Sequence, residues 1–272
     1  MVATAPPVMP VHPLVKPIRA LVTPFRGFGG FVALSLDVLV VLFRSRFAWR
    51  EFIEQLWFIA RVSTGPGAMV AFGFNVLAAF MFNVLLLEIG AADLSGAGVA
   101  LAVVSQTAPI TTTLALGGAA ATAMCADLGS RTIREEIDAM KVMGVDPVQR
   151  LVVPRVVALA VSGVLLFAVV CTVCLVTGFS FSVYFQDVNP GSFMASLTLL
   201  TGLPDLIVAI VKALVFGATA GLIACYKGLH VAGGSQGVGT AVNETVVLTY
   251  MALFVLSTVL TTVGDALIRV MR

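Results

Sequence analysis

Gly129–Pro154 reads GSRTIREEIDAMKVMGVDPVQRLVVP and is unlike the rest of the chain. Between Asp127 and Arg155 stand five basic residues (Arg131, Arg134, Lys141, Arg150, Arg155) and five acidic ones (Asp127, Glu135, Glu136, Asp138, Asp146). That is a third of all the charge in the sequence, set between two long apolar runs. A charge at the centre of a membrane helix costs roughly 2.5–3.5 kcal/mol even on the mildest scale. The stretch therefore reads as a water-facing segment between two membrane spans.

Its local structure follows from side-chain chemistry. Thr132 with Glu135 three residues on has the pattern of a capping box, and acids in the first turns suit the positive end of a helix dipole. Arg131–Glu135 and Arg134–Asp138 have the spacing of i,i+4 ion pairs. Ile133, Ile137 and Met140 recur at helical spacing as one apolar stripe. Gly144 is placed as a left-handed stop, and Asp146-Pro147 ends the helix. The expectation is a short amphipathic helix at about Thr132–Met143 outside the membrane. It either rests its stripe on the bilayer surface or docks a soluble partner.

The remaining sequence supplies the membrane part. The chain is 59% hydrophobic and 11% charged, with a mean hydropathy of +1.06, against about 25% charge in soluble domains. The apolar runs are too long for the alternating strands of a barrel. The fold class is thus an all-α integral membrane protein with about five transmembrane helices. They fall at about Ala68–Leu87, Ala97–Met124, Val156–Phe185, Leu206–Tyr226 and Val246–Val263. Residues 1–13 are proline-rich and lack the apolar core of a signal peptide, so they read as a disordered tail.

Residues 14–66 read as an interfacial helical region, holding Phe28–Phe43 and the amphipathic FAWREFIEQLWFIAR. Residues 67–265 form the membrane domain. Basic residues gather before the first span, in the Asp127–Arg155 segment and at Lys227, whereas the other two loops have none. The positive-inside rule then places the N-terminus in the cytoplasm.

In the second span, Pro109 interrupts the helix and the neighbouring threonines are able to bond freed carbonyls. Gly117-Gly118-Ala-Ala-Ala is smooth enough for another helix to approach closely. This surface either packs within the chain or forms a subunit interface or the wall of a lipid-sized cavity. Asn75, Asn83, Pro109, Thr112, Gly117 and Gly118 are the candidate residues for such a cavity or interface.

Enzymatic chemistry has little support. Gly234-Ser-Gln-Gly-Val-Gly239-Thr240 lacks the lysine of a phosphate loop, and there is no GxSxG elbow. The CxxC of Cys171 and Cys174 lies mid-span among apolar neighbours, as packing residues do. Lys212 is the candidate buried charge, with snorkelling or local pairing its ordinary fate. No metal site and no nucleic-acid partner is expected. With transport-like architecture and no energy source of its own, the chain calls for a partner-supplied motor.

Asp127-Leu-Gly129, Thr132, Glu136-Ile-Asp138-Ala139, Met143-Gly144-Val-Asp-Pro147 and Val153-Pro154-Arg155 resemble the signature of the MlaE/YrbE permease family. Gly237-Val-Gly239 is similar to that family's loop before its last span, and the likeness runs from about Ala68 to Val263. It is greatest to the actinobacterial permeases of Mce operons. The resemblance implies a permease subunit of an ATP-driven lipid transporter in the inner (plasma) membrane, moving fatty acids, sterols or other lipids. It implies three kinds of partner: an ABC ATPase that binds ATP and magnesium, a second and paralogous permease, and MCE-domain proteins. No cofactor is expected in this chain. The segment after the second span becomes a coupling helix, in which Arg131, Arg134, Glu135, Glu136, Asp138 and Lys141 offer charges to the ATPase. Ile133, Ile137 and Met140 fill its groove. Ser105-Gln106-Thr107 and Gly118-Ala119 depart from relatives that carry charges there. The alternative is a scaffold that tethers a soluble partner without transporting.

Overall fold

A computed structural model describes residues 15–44 and 47–271. The expected disordered tail, Arg46 and Arg272 lie outside the described residues, as do the side chains of Lys16, Arg19, Arg26, Asp265 and Arg269. Five helices are long and apolar enough to cross a membrane: α2 (Trp49–Glu88), α3 (Ser95–Ile133), α5 (Val148–Gln186), α7 (Leu203–Leu229) and α8, whose full extent is Gly234–Met271. Two short helices, α4 (Glu136–Val142) and α6 (Pro190–Ser196), sit in connections on opposite sides of the bundle. Helix α1 (Val15–Arg44) precedes the first span. The described residues contain no strand.

The helices outrun the expected spans. The second interfacial helix does not exist as a separate element, because residues 49–88 form one helix of 40 residues through Pro66. At 1.5 Å per residue that is about 60 Å, twice a hydrocarbon core of about 30 Å, so α2 projects well beyond it. The 66/67 boundary therefore falls inside a helix. α8 likewise begins at Gly234, so that Gly237-Val-Gly239, expected in a loop before the last span, is helical. The turn before it is made by Gly233 and Gly234, at φ +89° and +70°. Gly237 then lies where a Cβ would strike the Ala232 carbonyl.

α5 is the central post, packed most extensively on α2 and α7. On α2, every fourth residue from Ile59 to Asn83 is buried: Ile59, Ser63, Gly67, Ala71, Asn75, Ala79 and Asn83. On α5, Ser162, Leu166, Val170, Cys174, Gly178 and Ser182 repeat the same interval. Two i,i+4 rows of mostly small residues thus interlock, as in close helix crossings within membranes. Asn75 Nδ2 donates to the Cys174 carbonyl at 2.7 Å, and Asn83 Nδ2 to Ser182 Oγ at 2.7 Å. Replacing Asn75 with alanine is expected to lower unfolding stability by about 1 kcal/mol, read as an earlier thermal transition in detergent.

α3 is the most buried span (67% of its apolar window), whereas α8 (11%) and α2 (22%) turn most of their surface outward. α1 lies across one end of the bundle. Its Leu34 and Val38 are buried with Leu128 of α3, Leu151, Val152, Val153 and Val156 of α5, and Cys225 of α7. The connection bearing α4 is at this same end, called the charged end below.

Candidate functional site at the charged end

The charged segment is built differently from the sequence expectation. α3 remains helical to Ile133, so Thr132 closes one helix instead of opening another. Its hydroxyl lies 2.9 Å from the Leu128 carbonyl and 3.0 Å from the Gly228 carbonyl, a shared donor that ties α3 to the end of α7. The break comes at Glu135, which adopts the left-handed conformation at φ +59°. For a residue with a Cβ that conformation costs roughly 1–2 kcal/mol. Only Glu136–Val142 forms α4, and the capping box is absent.

The change in direction also rewires the ion pairs. Arg131 meets Asp127 (3.4 Å), Arg134 meets Glu136 (3.0 Å) and Lys141 meets Asp138 (2.8 Å), in place of the two expected i,i+4 pairs. Glu135 has no ion pair among the described residues. Exposed pairs of this kind contribute about 0–1 kcal/mol, so a partner's charges can exchange for them at little cost.

The apolar stripe splits. Ile137 is buried, and Met140 packs partly into the cluster under α1, which anchors α4 to the bundle. Ile133 is half-exposed at the end of α3. The outward apolar residues come next in the chain: Val142 is 89% exposed, Met143 70% and Val145 38%. Gly144 (φ +75°) reverses the chain between them as expected, with its N–H on the Lys141 carbonyl (3.0 Å) and the Val145 N–H on the Met140 carbonyl (2.9 Å). Asp146 Oδ1 then accepts from the Val148 N–H at 2.9 Å. The result is a rigid knuckle with an apolar tip, its acids and bases arranged around the base. The periodicity of the helix pointed at its inner face, and missed the tip because Val142, Met143 and Val145 straddle the turn.

The charged end also holds a feature the charge count concealed. Arg155 does not face water: its side chain is 0% exposed. Its Nη2 lies 2.6 Å from Asp127 Oδ2 and 3.7 Å from Glu51 Oε1, while its Nε and Nη1 have no partner. Gln55 Nε2 donates to the same Glu51 at 3.0 Å. One guanidinium therefore links α5, α3 and α2 at the charged end. The sequence signal was a pair of opposite charges at the mouths of consecutive spans.

The remaining candidates lie deeper. Asn75 and Asn83 spend their amides within the α2–α5 seam. Gly117 and Gly118 receive a side chain of α8: a Cβ at either position would come within 2.9 Å of the Tyr250 ring or hydroxyl, and that hydroxyl donates to the Leu114 carbonyl at 3.2 Å. Thr112 is wholly buried and its hydroxyl has no partner. Pro109 follows a π-turn over Val103–Thr107, in which the Ala108 N–H reaches back to the Val103 carbonyl. Proline lacks the N–H that an α-helix would aim at the Ser105 carbonyl. Lys212 of α7, buried at 3% exposure, donates its Nζ to that carbonyl at 3.3 Å. The neighbouring threonines do not serve it: Thr113 bonds the Pro109 carbonyl instead.

No group of three or more histidines, cysteines or acids able to hold a metal occurs among the described residues. The geometry is that of a multi-pass membrane protein with a braced, apolar-tipped knuckle. Known proteins agree with it. A protein of Synechocystis named as a probable ABC transporter permease is 29% identical over 229 residues, covering 82% of this chain and 84% of its own. A similarly named protein of Rickettsia bellii is 26% identical over 222 residues, 82% and 86% of the two chains. The chloroplast protein TRIGALACTOSYLDIACYLGLYCEROL 1 of Arabidopsis thaliana is 26% identical over 240 residues, 85% and 67% of the two. Residues 52–263 match the family described as Permease MlaE. They span all five long helices, and the chain belongs to the MlaE permease family.

Proposed function

We propose that this chain is the membrane half of an ATP-driven lipid transporter of the Mce/Mla type, and that the α4 knuckle is where its motor engages. The observation that carries the reading is the apolar tip. Val142, Met143 and Val145 stand exposed outside the membrane-spanning helices, on a turn fixed from inside by Ile137 and Met140. A tip of this kind fits an apolar groove on a soluble partner. ATP and magnesium belong to that partner. The charge distribution favours a cytoplasmic charged end and residence in the inner membrane. One relative, named for trigalactosyldiacylglycerol, supports a lipid cargo. A paralogous permease would complete the membrane unit against the outward faces of α2 and α8, and MCE-domain proteins would receive or deliver the lipid.

In this reading, ATP-driven closure of the partner pushes the knuckle. Arg155 passes the displacement to α2, α3 and α5 together. Changing Val142 and Met143 both to glutamate is expected to cut ATPase-subunit co-purification by at least tenfold, with the thermal transition of the permease unchanged. Undiminished association would remove the tip from the docking site. Glu136→Lys is expected to keep the subunit bound while abolishing lipid movement, measured as labelled-lipid transfer by the reconstituted complex. Association without any lipid transfer by the unmutated complex would favour a tethering scaffold.

A further inference from the structure

The α2–α5 seam contains three polar rungs, and one of them is open. Asn83 pairs with Ser182, and Asn75 with the carbonyl of Cys174, each at a sequence offset of 99. Ser63 and Ser162 share that offset and face the same space, yet neither hydroxyl has a partner, although both residues are buried (1% and 3% exposed). Serine or threonine in a helix commonly discharges its hydroxyl onto the carbonyl four residues back. Thr64 does so to Ala60 (2.6 Å) and Ser182 to Gly178 (2.7 Å) on these very helices. Ser63 and Ser162 instead stand in the wall of a cavity of about 150 Å³ with Ile59, Leu116, Leu165 and Val169, their enclosed hydroxyls one side-chain rotation from its space.

Its position and walls restrict the occupant. Ser63 lies six residues beyond the exposed Trp57 and two beyond the exposed Arg61, or about 9 Å and about 3 Å further along α2. Exposed Trp and Arg mark the membrane interface, so the cavity sits at that interface, the level at which headgroups give way to acyl chains. Leu165 and Val169 are exposed, and the mouth opens sideways, away from the bundle. No charged residue lines it. The volume equals about five water molecules, enough for one ester linkage and the head of one chain.

We propose that this groove holds a bilayer glycerophospholipid by one acyl ester. The ester carbonyl accepts from the Ser63 and Ser162 hydroxyls, and the attached chain runs outward over Leu165 and Val169. A carboxylate would bring a charge into a cavity lined by no charged residue, which disfavours a free fatty acid. The lipid is a fixed part of the α2–α5 seam, and its binding does not depend on the transport reading.

The test uses the full chain in phosphatidylcholine vesicles containing a phospholipid with a diazirine near the ester end of one chain. After irradiation, adducts are mapped by peptide mass spectrometry. Adducts are expected to concentrate on residues 59–64 and 162–169. They should fall about tenfold in the Ser63→Ala/Ser162→Ala double variant, which removes two oxygens, and vanish in Ser162→Leu, which fills the cavity. An ether-linked phospholipid, lacking the carbonyl, should label this site no better than the double variant does. Three results would overturn the proposal. They are equal labelling in all variants, equal labelling by ether and ester lipids, and preferential labelling by a diazirine fatty acid.

Discussion

Asp127→Ala is expected to destabilise the chain by about 3–5 kcal/mol, the cost of breaking a buried ion pair from one side. The effect arises at Arg155. Its guanidinium is wholly enclosed, already carries two unpartnered nitrogens, and would keep only Glu51 at 3.7 Å. The opposite deletion should be milder. Arg155→Met retains volume, and the carboxylates it abandons are 42% and 26% exposed, so water can reach both. A loss under about 2 kcal/mol is expected. Combining the two changes should recover much of the damage of Asp127→Ala, because no unpaired charge remains. Thermal unfolding of the four proteins in one detergent, read as a double-mutant cycle, measures this. Equal losses for the two single variants would show that Arg155 is solvated in a way its enclosure does not suggest.

Gly217→Val should cost about 3 kcal/mol or more, at the upper end of overpacking effects. Here α7 and α5 meet backbone to backbone. A Cβ at Gly217 would collide with the Leu159 carbonyl and lie 2.9 Å from Ala160 Cα. One turn away on the other helix, a Cβ at Gly163 would lie 2.6 Å from the Ala213 carbonyl. No rotamer change relieves a clash with backbone, so the helices must separate along their length. By contrast, Gly239→Ala, where a Cβ meets nothing within 4 Å, should be neutral. Loss of the monodisperse peak in size-exclusion chromatography for the first and not the second is the expected readout.

The sequence showed where the apolar runs lie, and five spans stand there. It did not show where helices end, because hydropathy reports contact with lipid while hydrogen bonding continues past it. Thus α2 absorbed the amphipathic Trp49–Arg61 stretch, and α3 ran on to Ile133 through the supposed capping box. Gly144 was legible as a stop because glycine alone takes that conformation freely. Glu135 was not, since nothing in a glutamate announces a left-handed backbone. Arg155 looked like one more charge in a water-facing segment. Only the approach of Asp127 and Glu51 from two other helices makes its burial tolerable. The apolar tip escaped notice for a related reason: it belongs to a turn, and periodicity describes helices.

Lys212 and Pro109 together have a mechanical consequence. In lipid, a proline break is tolerated where a neighbouring group or a local change of helix type satisfies the carbonyl it frees. The carbonyl at Ser105 is held by the Lys212 amine, which reaches it from α7 on a four-carbon tether. The π-turn can then stand in hydrocarbon without stranding that polar group. Through the lysine the break at Pro109 is pinned to α7, so the most enclosed helix of the bundle cannot shift at that point without carrying its neighbour or giving up the bond.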